Sequence, residues 1–461
     1  MSNGLYEDTY TRIVEPIYGE KRSIERDREL EGNVGLHDYS VLDRVDMTQY
    51  STYSIDPPGC TDADDAFSIY TEDGKLYLAI HIADPTEYIP LYSSLWYDIY
   101  NRITTKYPSN RPPIHMMHHK VLSLSSLQGD EIGSVKKAIT IVCEIDMKTH
   151  EVINEVKLFF SEVYVKRCNA YTYEQAAEDI GNNEVFGQGV KISESLKRKR
   201  MIVTKGVKLS DVNSSYPVYD DDNVYLTTDC TGKKQMKEMI GEFAIFANSF
   251  IGEYLKLNLN TGIFRCCDAS KWLENIYDDI SGPELLQEII LNGIKAEYLS
   301  SISSHDLVGM PEYCHFTSPI RRLADCVCHY LLKCIHLAKP PPFSEEELEK
   351  IAAMCLTVTK QEKKNQYLDT KFRLLQVMHN MLLHDEHISL IYYITGYSGL
   401  FLNIIISKIN QFNVHMSYTL RVRNYNKIID PKNVQYVKIT HVNCFTKYDE
   451  NTLPELDKQV L

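Results

Sequence analysis

The chain has 461 residues, 44% of them hydrophobic and 24% charged, with a formal net charge of −14. That composition fits a globular protein of about two to four domains and excludes a disordered or low-complexity chain. The acidic balance argues against coating nucleic acid by charge alone, yet it leaves room for local basic grooves. The longest apolar runs, such as Gly399–Ile406, fall short of the roughly 20 residues a membrane helix needs. Residues 1–36 are too polar for a secretory signal. The twelve cysteines show neither C-x-x-C pairs nor a disulfide framework. Together these features predict reduced thiols in the cytoplasm or another reducing intracellular compartment, with no membrane partner.

In chain order, residues 1–36 carry mixed charge and are too few for a β-barrel, so they read as an N-terminal extension. From residue 37, strand-like alternation runs through "YSTYSID" and "AFSIYTEDGKLYLAIHIAD", with Asp73-Gly74 as a hairpin turn. "KKAITIVCEID" and "EVKLFFSEVYVKR" extend the β-rich core. Helical periodicity then dominates "KKQMKEMIGEFAIFANSFIGEYLKL", "PELLQEIILNGIKAEYL" and "SPIRRLADCVCHYLLKCIHLAK". After the break "KPPPF", a capping-box pair Ser344 and Glu347 opens another long helix. Beyond residue 384, short strands separated by turns suit a small antiparallel barrel. The expected architecture is α+β, with an extension at 1–36, a main domain at 37–382 and a barrel at 383–461.

Two stretches carry chemistry. "SIDPPGCTDADDAFSIY" places Asp56, Asp62, Asp64 and Asp65 in one loop between strands. Acid-rich loops are usually solvated turns, but here the ends are anchored and Pro57, Pro58 and Gly59 turn the chain. Crowded carboxylates repel unless a cation offsets them, and Mg²⁺ takes such oxygens together with substrate phosphate. A calcium-hand reading fails, because Ala66 stands where a third oxygen ligand belongs. In "YCHFTSPIRRLADCVCHYLL", Thr317 or Ser318 is placed to cap a helix whose first turns hold Arg321 and Arg322. Asp325 and His329 follow one turn apart. Such a helix start can bind phosphate, and equally can be a surface ion-pair face.

Together the two stretches resemble the signature of the RNB exoribonucleases, the ribonuclease II and ribonuclease R family. The first is most similar to the exosome-type members. Weaker similarity appears in "LYLAIHIADPTEYI", "AYTYEQA", "MIGEFAIFANSFI", "GIFRCCD" and "KAEYLS", so that the resemblance spans roughly residues 40 to 380. It implies an RNB catalytic fold, a β-rich core flanked by helices, followed by an OB-type barrel. It also implies an Mg²⁺-dependent 3′-to-5′ exoribonuclease that hydrolyses single-stranded RNA to 5′-mononucleotides by two-metal chemistry. Carried over by position, Asp56, Asp62 and Asp65 hold metal and Asp64 is the acid most directly tied to catalysis. Arg321 meets the scissile phosphate, Arg322 joins the RNA contact, and Tyr107 in "ITTKYPSNRPPI" stacks on terminal bases.

The departures shape further expectations. Relatives carry two cold-shock barrels before the catalytic region, and only about 36 residues precede it here. The expected result is a weaker grip on RNA, with a protein partner available to supply the missing clamp. "YPS" replaces the family's "YLP" after Lys106, and Cys267 stands where relatives often have histidine. From Phe401 to Tyr448, Lys408, Arg421, Arg423, Lys427, Lys432, Lys438 and Lys447 face one acid, Asp430. That local excess suits an RNA guide, or simply a solvated basic face. His115, His118 and His119 lack acid or cysteine partners at zinc spacing and read as a loop. Glu242 and Asn248 read as structural, Asp325 and His329 as helix-positioning, and Cys60 as carrying no thiol chemistry. Two rivals stand beside the exoribonuclease. One is an RNA-binding regulator on an inactive scaffold, and the other is a metal-dependent phosphoesterase for another substrate such as single-stranded DNA.

Overall fold

The structure, a computed structural model, describes residues 3–129, 133–204, 215–220, 223–275, 282–384, 387–398, 401–421, 435–442 and 456–460. The N-terminal extension forms α1 (Asn3–Ile13), a 3₁₀ turn (Glu15–Tyr18) and α2 (Ile24–Glu31), whose Ser23 cap accepts the Arg26 amide. Seven strands then build one sheet: β1 (Val45–Asp46), β2 (Thr52–Asp56), β3 (Asp65–Glu72), β4 (Lys75–Ala83), β5 (Lys136–Ile145), β6 (Val152–Val163) and β7 (Val165–Thr172). Their order is β1-β6-β5-β4-β3-β2-β7. Only Tyr164 separates β6 from β7, although they lie toward opposite ends of that order, so the sheet curls round on itself. Asp73 and Gly74 both take positive φ, 49° and 76°, which makes the tight β3–β4 hairpin the sequence foretells.

Inside the curled sheet a polar chain crosses five strands. Thr52 Oγ1 meets Ser68 Oγ at 3.1 Å, Ser68 meets His81 Nε2 at 3.0 Å, and His81 Nδ1 meets Thr140 Oγ1 at 2.8 Å. Thr140 reaches Ser161 Oγ at 2.6 Å. Burial lowers the His81 pKa to about 3, which keeps the ring neutral.

Around the sheet lie α3 (Ser94–Arg102), α4 (His119–Ser125), α5 (Tyr173–Asp179), α6 (Glu184–Thr204), the hairpin β8 (Ser215–Asp220) and β9 (Asn223–Thr228), and α7 (Thr231–Leu259). Phe243 of α7 packs edge-on against Phe67 of β3 with ring centres 5.6 Å apart. Next come β10 (Phe264–Cys266), α8 (Ser270–Leu273), α9 (Gly282–Leu291), β11 (Glu297–Leu299), α10 (Leu323–His336) and α11 (Glu345–Leu383). The capping box at Ser344 and Glu347 is formed.

Two sequence expectations need correction. The helix read over "PELLQEIILNGIKAEYL" stops at Leu291, because Gly293 takes φ 64° and Glu297–Leu299 pairs as β11 with β10. The helix read from Pro319 begins only at Leu323, with Arg322 as its cap in extended conformation. Arg322 bridges to Thr104 instead, and the Leu323 amide donates to Ile103 O. Tertiary pairing thus overrides the local helix signal.

The C-terminal strands β12 (Ile388–Ser398), β13 (Phe401–Ile409), β14 (Phe412–Arg421), β15 (Gln435–Val442) and β16 (Leu456–Val460) pair antiparallel in the order β14-β13-β12-β15-β16. That order matches the OB-type Greek key. Of the basic residues counted there, Lys408 is exposed, and Arg421 and Lys438 lie on β14 and β15. Arg423, Lys427, Lys432 and Lys447 lie outside the described residues, as does Asp430.

Candidate active site

The acidic loop joins β2 to β3. Pro58 and Gly59 make its turn, with Gly59 at φ 73°, a conformation that favours glycine, and the Cys60 amide donating to Pro57 O at 3.1 Å. Beyond it the backbone is pinned. The Ala63 amide donates to Ser126 Oγ at 3.1 Å, Ala63 O accepts from Leu127, and Asp64 O accepts from Ala83. The carboxylates therefore point inward from a fixed frame.

Asp64 is 3% exposed and is where the two motifs meet. Its Oδ1 accepts the Ile320 amide at 2.8 Å, and its Oδ2 accepts Arg321 Nε at 2.9 Å, across 257 residues of sequence. Arg321 Nη2 donates to Ser318 Oγ at 2.8 Å, and Arg321 O accepts from Thr104 Oγ1 and the Thr105 amide. The Arg321 side chain stays 44% exposed, and among the described residues its Nη1 has no partner. Arg322 turns the other way, donating through Nη2 to Asp325 Oδ1 at 2.9 Å. The same Asp325 oxygen accepts the Ser318 amide at 2.8 Å, so Asp325 holds both the turn and the arginine.

Asp62 Oδ2 accepts the Tyr107 hydroxyl at 2.9 Å and lies 3.6 Å from His115 Nδ1. Tyr107 as a residue remains 37% exposed. Cys60 Sγ sits 3.6 Å from both Asp56 Oδ1 and Asp62 Oδ1, between the two acids. No side-chain donor reaches Asp65 among the described residues.

The electrostatics follow from this placement. Burial, with the Asp64 and Asp62 charges adding to it, pushes Asp56 up to about 7. Burial and then the Asp56 charge raise Asp65 to about 7. Burial raises Asp64 to about 7 even though Arg321 and the Ile320 amide pull against it. Asp62 alone falls below the usual range, because the nearby His115 ring and the Tyr107 hydrogen bond outweigh its burial. Cys60 is pushed up by burial and the Asp56 charge, so its sulfur stays a thiol.

The donor set is all oxygen, crowded and short of positive charge, which fits a hard divalent cation. No three of these carboxylates bring oxygens mutually within 4.8 Å. Among the described residues the one trio that does is Asp27, His118 and His119. The acid partner that the histidines lacked in sequence thus comes from α2. His118 is nevertheless spent, with Nε2 3.0 Å from Asp27 O and Nδ1 accepting the Lys120 amide at 3.2 Å, so it caps α4.

Asn248 positions the second motif by accepting the Phe316 amide at 2.8 Å and donating to Tyr313 at 3.1 Å. Glu242 is bound by Arg200 at 2.5 Å. Tyr173, which sequence reading did not single out, heads α5 beside the site and feels the charges of Asp65, Asp56 and Arg321. Its signal was the Thr172–Gln175 capping box that follows β7.

A family model described as the RNB domain matches residues 44–337. The exosome complex exonuclease dis3 of Schizosaccharomyces pombe is 25% identical over 344 residues, covering 62% of this chain and 34% of that protein. The chain spans about a third to a half of the length of the curated relatives it matches. An active-site mutant of the Dss1 exoribonuclease from Candida glabrata superposes with TM-score 0.76 at 16% identity, covering 95% of this chain and 58% of that one. Yeast Ssd1, described as a pseudonuclease, superposes with TM-score 0.67 at 16% identity, covering 91% and 56%.

Proposed function

The chain belongs to the RNB domain family, and from that premise we propose that it is a 3′-to-5′ exoribonuclease hydrolysing single-stranded RNA to 5′-mononucleotides. The observation that carries this reading is the Asp64–Arg321 junction, which closes two distant motifs over an aspartate loop whose Asp62 and Asp64 are buried. In this reading residues 37–382 are catalytic and residues 383–461 form a barrel that guides RNA.

Asp56, Asp62 and Asp65 would hold Mg²⁺, which when bound supplies water activation and stabilisation of the leaving 3′ oxygen. The chain's own groups do the rest. Arg321 keeps Asp64 oriented through Nε and offers its remaining N–H groups to a phosphate oxygen, where negative charge grows. Tyr107, fixed at its hydroxyl by Asp62, offers its ring for base stacking, which grips single strands without reading sequence. Arg322 contacts RNA in the same proposal, as does a protein partner that adds a further RNA clamp. The described cysteines are free thiols, which supports a reducing intracellular compartment. No described helix is long and apolar enough to cross a membrane.

A second reading is an RNA-binding regulator without turnover. It draws on Asp64 being fully engaged by Arg321 and Ile320. Incubating the purified chain with 5′-labelled RNA and DNA oligomers, with Mg²⁺ and with chelator, separates these readings. Shortening of RNA from the 3′ end only with Mg²⁺ supports the first. Binding of RNA with every oligomer left intact supports the second.

A further inference from the structure

A cavity of about 190 Å³ opens beside Arg322, lined by Arg265, Tyr298, His315, Arg322, Glu362 and Lys363. Its charges do not balance. Arg322 pairs with Asp325 at 2.9 Å, and Glu362 pairs with Lys106 at 3.6 Å. Arg265 and Lys363 remain, and neither has an acidic partner among the described residues. Arg265 is only 8% exposed, lies over the Tyr298 ring at 4.6 Å, and leaves its Nη1 without any hydrogen-bond acceptor. Arg322 Nε is likewise without a partner. His315 is held neutral by burial and by the two arginines, with its Nδ1 engaged by the Tyr298 hydroxyl at 2.6 Å. Lys363 stands at the mouth, where partial burial and the Arg265 charge depress its pKa.

A guanidinium buried without a counterion is strongly unfavourable unless something occupies the space before it. We propose that this cavity is an anion site for a phosphate monoester dianion. The two unmatched cations meet the roughly two negative charges of a monoester at neutral pH, and the orphaned N–H groups meet its three terminal oxygens. A phosphodiester or a carboxylate brings one charge and leaves the other cation unmatched. The site stands on the cavity itself. Only the identity of one source rests on the nuclease reading, because the 5′-mononucleotide product of that reaction carries such a group. Inorganic phosphate is the other source.

Isothermal titration of the full chain in chelator tests this, since phosphate then cannot ride on a cation at the aspartate loop. The titrants are inorganic phosphate, cytidine 5′-monophosphate, cytidine and dimethyl phosphate. Phosphate and the monophosphate are expected to bind, with the diester and the nucleoside at least about tenfold weaker. Tighter binding of the monophosphate than of phosphate assigns the site to product, and equal binding assigns it to free phosphate. Arg265→Gln and Lys363→Gln should each weaken phosphate about tenfold or more. The second variant lies at the exposed mouth and keeps the test open should the first not fold. Phosphate affinity equal in parent and variants, or absent from the parent, overturns the proposal. Phosphate binding by a chain that leaves RNA intact sinks the nuclease reading alone, and RNA hydrolysis without phosphate binding sinks the anion site alone.

Discussion

Asp84 and Glu87 sit in the turn after β4, wholly buried, and meet Arg44 at 2.7 Å each and Lys333 at 3.0 and 2.9 Å. Lys137 adds a further contact to Glu87 at 3.1 Å. At the same end of the β3–β4 hairpin, Asp56, Asp62, Asp64 and Asp65 crowd together too, but Arg321 is the only Lys or Arg that pairs with them among the described residues. The results are opposite. Burial is outweighed by Lys333 and Arg44 at Asp84, whose pKa is driven well below the usual carboxylate range, and Glu87 is lowered too. Burial prevails at Asp56, Asp64 and Asp65. One acid cluster is closed by the chain itself and is architecture. The other is left short of positive charge, and the proposed function uses that shortage.

The largest effect expected on the open cluster is catalytic. Asp64→Asn should lower RNA hydrolysis by about 10⁴-fold or more, with RNA binding in chelator nearly unchanged. Normal digestion by this variant would break the contrast, because Asp64 would then be architecture too. In the closed cluster, Lys333→Met leaves Asp84 and Glu87 underpaired and should cost about 3–5 kcal/mol in urea unfolding. That loss should be the same with and without Mg²⁺. A loss that Mg²⁺ repairs would mean the two clusters are not separate.

Tyr107→Ala should weaken binding of single-stranded RNA by about 1–3 kcal/mol, while Tyr107→Phe keeps most of the affinity. Equal loss in both would move the role from the ring to the Asp62 hydrogen bond. The smallest effect is in pH. Without cation, the raised aspartates favour folding below about pH 4, and that contribution is lost as pH climbs to about 7. Asp84 and Glu87 behave oppositely, stabilising above about pH 4 and failing only as acid protonates their lowered carboxylates. Mg²⁺ at ten times its pH 8 Kd should add about 1.4 kcal/mol at pH 8, and less at the same concentration at pH 6, where protons compete for the raised aspartates. Thermal melts in chelator and in Mg²⁺ at those two pH values read it. An increment independent of pH would place the cation elsewhere.

Much of the site was legible because its signal is local. Four aspartates in ten residues, a Pro-Pro-Gly turn and an Asp-Gly hairpin are written in consecutive positions, and each formed as local chemistry dictates. The arginine was legible as a residue but not in its setting. Pro319 suggested a helix start, whereas the Ser318 and Ile320 amides are spent on Asp325 and Asp64. Lys333 reaches Glu87 across 246 residues, and that cluster left no pattern to read. Arg265 is harder still. In "GIFRCCD" it is one basic residue in a mostly apolar run, and only the fold reveals that no acid among the described residues pairs with it.

Asp369 of α11 shows how the N-terminal extension touches this chemistry. Its carboxylate takes hydrogen bonds from the Tyr10 and Tyr18 hydroxyls at 2.7 and 2.8 Å, and from the Ser109 amide and hydroxyl at 2.9 and 2.6 Å. Ser109 lies two residues beyond Tyr107 on the same loop. A single carboxylate therefore fastens α1, the Tyr107 loop and α11 like a three-way latch. Loosening α1 would slacken the loop beside the aspartates without altering any residue of the pocket.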